Sequence, residues 1–184
     1  MANIFIIHGT HGHPENNWFP WLKEKLQAAG HSVWVPHFPT PEQQSLQNWE
    51  KAFAPYEKYL DEKSIVIGHS LGVAFLLHLL EKHKVSAAFF VSGFDEFLGN
   101  DFDELNKTFI RSERNWRKIR ENCGKFFIYH SNNDPYVPLE KAENIARNLQ
   151  TEVRVIPNAG HFNESAGYIK FEELYGKLLQ FLDS

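Results

Sequence analysis

Apolar positions along the chain fall into two patterns that alternate. Short continuous apolar runs occupy Asn3–His8, Ser32–Pro36, Ser64–Ile67, Val85–Val91, Lys125–His130 and Glu152–Ile156. Rich in Val, Ile and Phe, they read as strands. Between them lie stretches where apolar residues return every three or four positions, the period of a helix. His13–Ala29 carries Trp18, Leu22, Leu26 and Ala29, with Gly30 where a C-cap belongs. Ser45–Leu60 carries Leu46, Trp49, Phe53, Tyr56 and Leu60, although Pro55 should kink or divide it. Val73–Lys84 and Tyr168–Leu182 complete the set. Strands that are apolar throughout, rather than at every second residue, are buried on both faces. The alternation predicts an α/β fold, a doubly wound and mostly parallel six-stranded sheet with helices on both faces.

One segment breaks the rhythm. Ser92–Glu121 mixes Phe94, Phe97, Phe102, Phe109 and Trp116 with Asp95, Asp101, Asp103, Arg111 and Arg114. It leaves the end of a strand, where open α/β sheets bind ligands, so it reads as an excursion over an active site. Its rings either line a cleft or anchor a long loop on the core, and periodicity does not separate the two.

The length of 184 residues fits one domain, 1–184, with 92–121 as its excursion. A hydrophobic fraction of 42% argues for a folded core. The formal charge of −4, without a basic run, points away from nucleic acid. No apolar stretch approaches the ~20 residues of a membrane span, and the first residues lack the basic start of a signal peptide. The single cysteine, Cys123, excludes an internal disulfide and fits a reducing compartment. A cytoplasmic protein is the resulting expectation.

The chemistry is concentrated in Gly68-His69-Ser70-Leu71-Gly72, a G-x-S-x-G between a predicted strand and a predicted helix. That context makes a nucleophile elbow: glycines clear the crowded turn, and the hydroxyl is lifted above the sheet edge. A serine hydroxyl needs a base, and the base needs an orienting carboxylate. On such sheets they follow in the order Ser, acid, His. Asp134, in the turn-rich Asn132-Asn133-Asp134-Pro135 after the fifth strand, is the acid candidate, with Asp95 as runner-up. His161, after the sixth strand, is the base candidate among ten histidines. His69 should point away from the nucleophile and pack. The oxyanion donors should be the backbone N–H groups of Leu71 and of Thr10, in the loop after the first strand. His11, Trp18, Phe94, Phe97 and Phe162 are candidate substrate contacts. His8, His11 and His13 tempt a metal reading, but no carboxylate or cysteine cluster completes a site, so neither metal nor cofactor is expected. Cys123 lacks an elbow and reads as structural.

With these residues in place the chain resembles the α/β-hydrolases, and more closely the retinoblastoma-binding protein 9 / YdeN family of small serine hydrolases. The resemblance rests on Ile7-His8-Gly9 with Asn17-Trp18-Phe19-Pro20-Trp21-Leu22, on the elbow, on Asn132-Asn133-Asp134-Pro135-Tyr136-Val137-Pro138, on Asn115-Trp116-Arg117-Lys118-Ile119-Arg120-Glu121-Asn122-Cys123 and on Gly160-His161-Phe162. It implies a compact sheet of six parallel strands and a triad on Ser70, Asp134 and His161. The family name suggests a retinoblastoma-protein partner reached through an L-x-C-x-E segment. Cys123 has no Leu two residues before it and no Glu two after, so that role does not carry over. The expected function is hydrolysis of a small-molecule ester, thioester or amide through an acyl-enzyme on Ser70. The rivals are a non-catalytic interaction module on the same fold, and acyl transfer or peracid formation on the same triad.

Overall fold

A computed structural model describes residues 1–110 and 113–183. Arg111 and Ser112, inside the expected excursion, lie outside the described residues. Six strands form one sheet: β1 (Asn3–Ile7), β2 (Ser32–Trp34), β3 (Ile65–His69), β4 (Val85–Val91), β5 (Cys123–Ser131) and β6 (Val153–Ile156). The order is β2-β1-β3-β4-β5-β6, and every neighbouring pair is parallel. The helices are α1 (Phe19–Ala28), α2 (Leu46–Glu57), α3 (Leu71–Leu80), α4 (Asp103–Asn106), α5 (Trp116–Asn122), α6 (Leu139–Leu149) and α7 (Glu172–Leu182).

Successive strand residues point to opposite faces, and each face has its own core. Phe5, Ile7, Val66, Ala88 and Phe90 pack with α2, α3, α5 and α6. Ile4, Ile6, Ile67, Phe89 and Val91 pack with α1 and α7. Helix α3 is buried at all ten positions, which explains why it is apolar all round. The chain runs from β1 outward to β2, then returns to place β3 on the other side of β1. The order therefore reverses between β1 and β3, and a crevice opens beyond their C-terminal ends.

Several boundaries differ from the sequence reading. Helix α1 starts at Phe19, not His13, because His13–Trp18 is spent on the loop that follows β1. Pro55 sits two residues before the last residue of α2, which continues through it to Glu57. Helix α7 begins at Glu172, four residues later than the apolar spacing suggested. Helix α6 was not foreseen, although Ala142, Ile145, Ala146 and Leu149 give it an apolar face. Among the described residues no helix is long and apolar enough to cross a membrane.

Candidate active site

Ser70 sits between β3 and α3 with φ 56° and ψ −123°. Such a conformation costs a non-glycine residue roughly 1–3 kcal/mol. It is held by the Ser70 N–H donating to Val91 O (2.9 Å), by Val73 N–H donating to Ser70 O (3.0 Å), and by the burial of α3 behind it. The glycines make this approach possible. A Cβ on Gly72 would stand 2.4 Å from Ile7 O, and one on Gly9 would stand 2.7 Å from Ser70 Cβ. The elbow and the loop after β1 are therefore pressed together at the crevice.

Asp134 follows β5 and His161 follows β6, two and three strands beyond β3 in the sheet. Asp134 Oδ1 accepts from the N–H groups of Tyr136 (2.9 Å) and Val137 (3.0 Å), so the turn chemistry of its loop also aims the carboxylate. Oδ2 accepts from His161 Nδ1 (2.8 Å). Because an ionised carboxylate only accepts, the imidazole carries its proton on Nδ1 and leaves Nε2 as a lone pair. Burial opposes charge on Asp134, but the bond from His161, its charge and the two N–H donors outweigh it and hold the carboxyl below its usual value. His130, at the end of β5, donates from Nε2 to Val137 O (2.9 Å) and closes the loop from below. The two loops are also clasped: Asn132, Asn133 and Ser131 side chains accept from the N–H groups of Asn158, Gly160 and Ala159.

Ser70, His161, Gly9, Thr10, His11 and Phe94 line one cleft of about 300 Å³. Among the described residues, neither the Thr10 nor the Leu71 N–H has an acceptor in the protein, and Leu71 opens α3, where the helix dipole favours negative charge. His69 borders the cleft, but its ring is buried and packs against Trp18, Phe19 and His161, in keeping with a packing role. Its Nε2 donates to His161 O (2.8 Å), and burial pushes its pKa down to about 3, so it stays neutral.

Three expected substrate contacts lie elsewhere. Trp18 is fully buried, because its indole N–H finds its acceptor, Phe162 O (3.0 Å), inside the core. Phe162 is fully buried as well, stacked on Phe171 at 5.0 Å. Phe97 faces solvent at 54% exposure on the outer side of the excursion. In their place stand Leu98, Phe102, Asn106, Tyr136 and Val137, together with Asn16, Asn17 and Asn163. The tyrosine ring meets His161 edge-on at 5.0 Å. Asp95, the alternative acid, is buried against Arg114 (Oδ2 to Nε 3.5 Å) and does not pair with His161. Among the described residues no group of three or more His, Cys, Asp or Glu is placed to hold a metal ion.

A profile for the family described as serine hydrolase matches residues 4–180. The chain belongs to the serine hydrolase family. It is 30% identical over 166 residues to the serine hydrolase RBBP9 of Rattus norvegicus, covering 90% of this chain and 83% of that one. It is 28% identical over 182 residues to YdeN of Bacillus subtilis, covering 97% and 95%. The crystal structure of the ydeN gene product superposes with a TM-score of 0.92 at 26% identity, over the whole of both chains. Est1E of Butyrivibrio proteoclasticus shares the fold, with a TM-score of 0.76 at 18% identity over 100% of this hydrolase and 90% of that chain. The α/β fold and the hydrolase function thus have an independent basis.

Proposed function

We propose that this hydrolase cleaves a small, neutral ester, thioester or amide through an acyl-enzyme on Ser70, within a single domain whose segment 92–121 covers the active site. The observation that carries the reading is the Asp134–His161 bond of 2.8 Å in the same cleft wall as a serine on a strained elbow. His161 Nε2 takes the Ser70 proton as the hydroxyl oxygen attacks the carbonyl carbon. Asp134 holds the Nδ1–H tautomer and stabilises the imidazolium that forms. The N–H groups of Leu71 and Thr10 receive the oxyanion. His161 then gives its proton to the leaving group, and water activated by the same ring releases the acyl group. Among the described residues, no Asp, Glu, Lys or Arg lines the cleft, which supports an uncharged substrate. No metal or cofactor enters any step.

Labelling with a fluorophosphonate tests the nucleophile. Wild type should label at Ser70, and Ser70→Ala should neither label nor turn over p-nitrophenyl esters within ~10³-fold of wild type. A wild-type chain that resists the probe and does not hydrolyse esters would favour a non-catalytic module instead.

A further inference from the structure

Asn106 ends α4 in the excursion, is 2% exposed, and lines the cleft. Its amide orientation follows from a chain of hydrogen bonds whose ends are backbone groups. His11 N–H donates to Thr40 Oγ1 (2.8 Å), so the Thr40 hydroxyl donates onward to Gln44 Oε1. Gln44 Nε2 donates to Leu105 O (3.0 Å), an atom that can only accept, which fixes the Gln44 amide. The second Nε2 proton goes to Asn106 (2.9 Å), and the Thr10 hydroxyl donates to the same atom (2.8 Å). That atom must be Oδ1. Nδ2 is left with two N–H groups and no acceptor among the described residues, yet it is not among the polar atoms sealed from solvent. Asn106 lines the cleft, and Nδ2 is available to an acceptor bound there.

We propose that Asn106 is a specificity-determining residue that donates from Nδ2 to an acceptor oxygen on the substrate, beyond the scissile carbonyl itself. The inference rests on the hydrolase reading above and narrows its substrate to neutral acyl groups bearing an ether, hydroxyl or carbonyl oxygen. Position supports it. Thr10, bonded to Asn106, follows Gly9, whose Cβ position is 2.7 Å from Ser70 Cβ, and Asn106 and Ser70 line the same cleft. A hydrocarbon chain filling this part of the cleft would leave a desolvated N–H unpaired. Sites built around such a donor discriminate against substrates that lack its partner.

The test compares two esters of near-equal shape, p-nitrophenyl methoxyacetate and p-nitrophenyl butanoate, which differ by an ether oxygen in place of a methylene. The measured quantity is the ratio of their kcat/KM values in wild type and in Asn106→Asp at pH 8. The aspartate keeps an oxygen for Thr10 and Gln44 but replaces the donor. Intrinsic ester reactivity, and any general damage to catalysis, cancel in the ratio. One neutral hydrogen bond corresponds to roughly a fivefold fall in that ratio. Asn106→Leu should lower it to the same extent, without introducing a charge. An unchanged ratio in both variants, with Ser70 still labelled by fluorophosphonate, would overturn the donor role and leave the hydrolase intact. Failure of wild type to label would sink both together.

Discussion

Gly9 and Ser70 stand so close that a methyl group on the glycine would lie 2.7 Å from the serine Cβ and 3.2 Å from His69 O. None of those atoms is the end of a flexible side chain, so the backbone must yield. Gly9→Ala is expected to cost ~1–3 kcal/mol of stability through overpacking. It should also lower kcat by ~10²-fold, because the loop carrying Thr10 moves relative to the nucleophile. Gly176, inside α7, meets nothing within 4 Å at the same test position. Gly176→Ala should instead stabilise by ~0.5–1 kcal/mol, a rise of about 1–4 °C in Tm, with activity unchanged. Thermal melts and ester assays on the two variants check the pair. Equal behaviour of the two would show that close approach to Ser70 is not what Gly9 provides.

The two candidate acids separate by partner. Asp134 binds His161, whereas Asp95 binds Arg114, with the arginine side chain 1% exposed. Burial raises the Asp95 pKa against the pull of Arg114, as expected of a desolvated ion pair. Asp134→Asn should cost ~10³-fold or more in kcat by favouring the wrong His161 tautomer, with little change in Tm. Asp95→Asn should break a buried ion pair, destabilise by about 3 kcal/mol, and change kcat by less than about tenfold. Steady-state kinetics beside melting curves decide between them, and the reverse ranking would make Asp95 the acid.

The strands were legible in the sequence because a strand buried on both faces leaves a continuous apolar run, as in Ile4–Ile7 and Val85–Val91. The Asp134–His161 pair was legible because each residue follows a strand, in the order expected after Ser70. What stayed hidden depends on contacts between distant residues. Trp18, Phe97 and Phe162 are all aromatic, yet only the acceptor for an indole N–H, or a stacking partner such as Phe171, decides core against cleft. Asn106 carries no signal of its own in the mixed aromatic and charged excursion, and Gln44, 62 positions earlier, is what pairs its amide. Helix α6 did leave a signal in the spacing of Ala142, Ile145, Ala146 and Leu149, obscured by the strong turn residues just before it.

Two buried histidines tie stability to pH. Burial pushes His8 down to about 4 and His69 down to about 3, from the ordinary value of 6.5. Both are neutral in the folded chain: His8 Nε2 accepts from Phe38 N–H (3.1 Å) while Nδ1 donates to Gly9 O (2.9 Å). Below pH 6.5 the unfolded chain takes up protons that the folded chain refuses. Stability is therefore complete above pH 6.5 and is lost as pH falls towards 4. His8 alone contributes about 3 kcal/mol to that loss. Asp95, with its raised pKa, acts in the opposite sense above 3.8, and Asp134, with its lowered pKa, contributes only below 3.8. Urea titrations at pH 7.5 and 4.5 should differ by several kcal/mol. Equal unfolding free energies at the two values would mean that these histidines are protonated, or exposed, in the native state.

The clasp between the acid and base loops gives a last expectation. Asn133 Oδ1 accepts from Ser131 Oγ (2.6 Å) and from Gly160 N–H (2.8 Å), immediately before His161. The same Ser131 oxygen accepts from Ala159 N–H (2.9 Å). Nothing in this cluster touches the Asp134–His161 bond, but it fixes the backbone on either side of it. Asn133→Ala removes two hydrogen bonds worth ~1 kcal/mol each, so Tm should fall by several degrees. If the clasp also sets the distance between base and acid, kcat should fall ~10-fold with KM nearly unchanged, since misplacement acts on the transition state more than on binding. Asn133→Asp keeps an oxygen at the accepting position and should restore both properties. An alanine variant that melts early yet retains kcat within about twofold would make the clasp a fastening of the fold alone. The geometry of His161 would then be owed to Asp134, and to His69 holding its carbonyl from beneath.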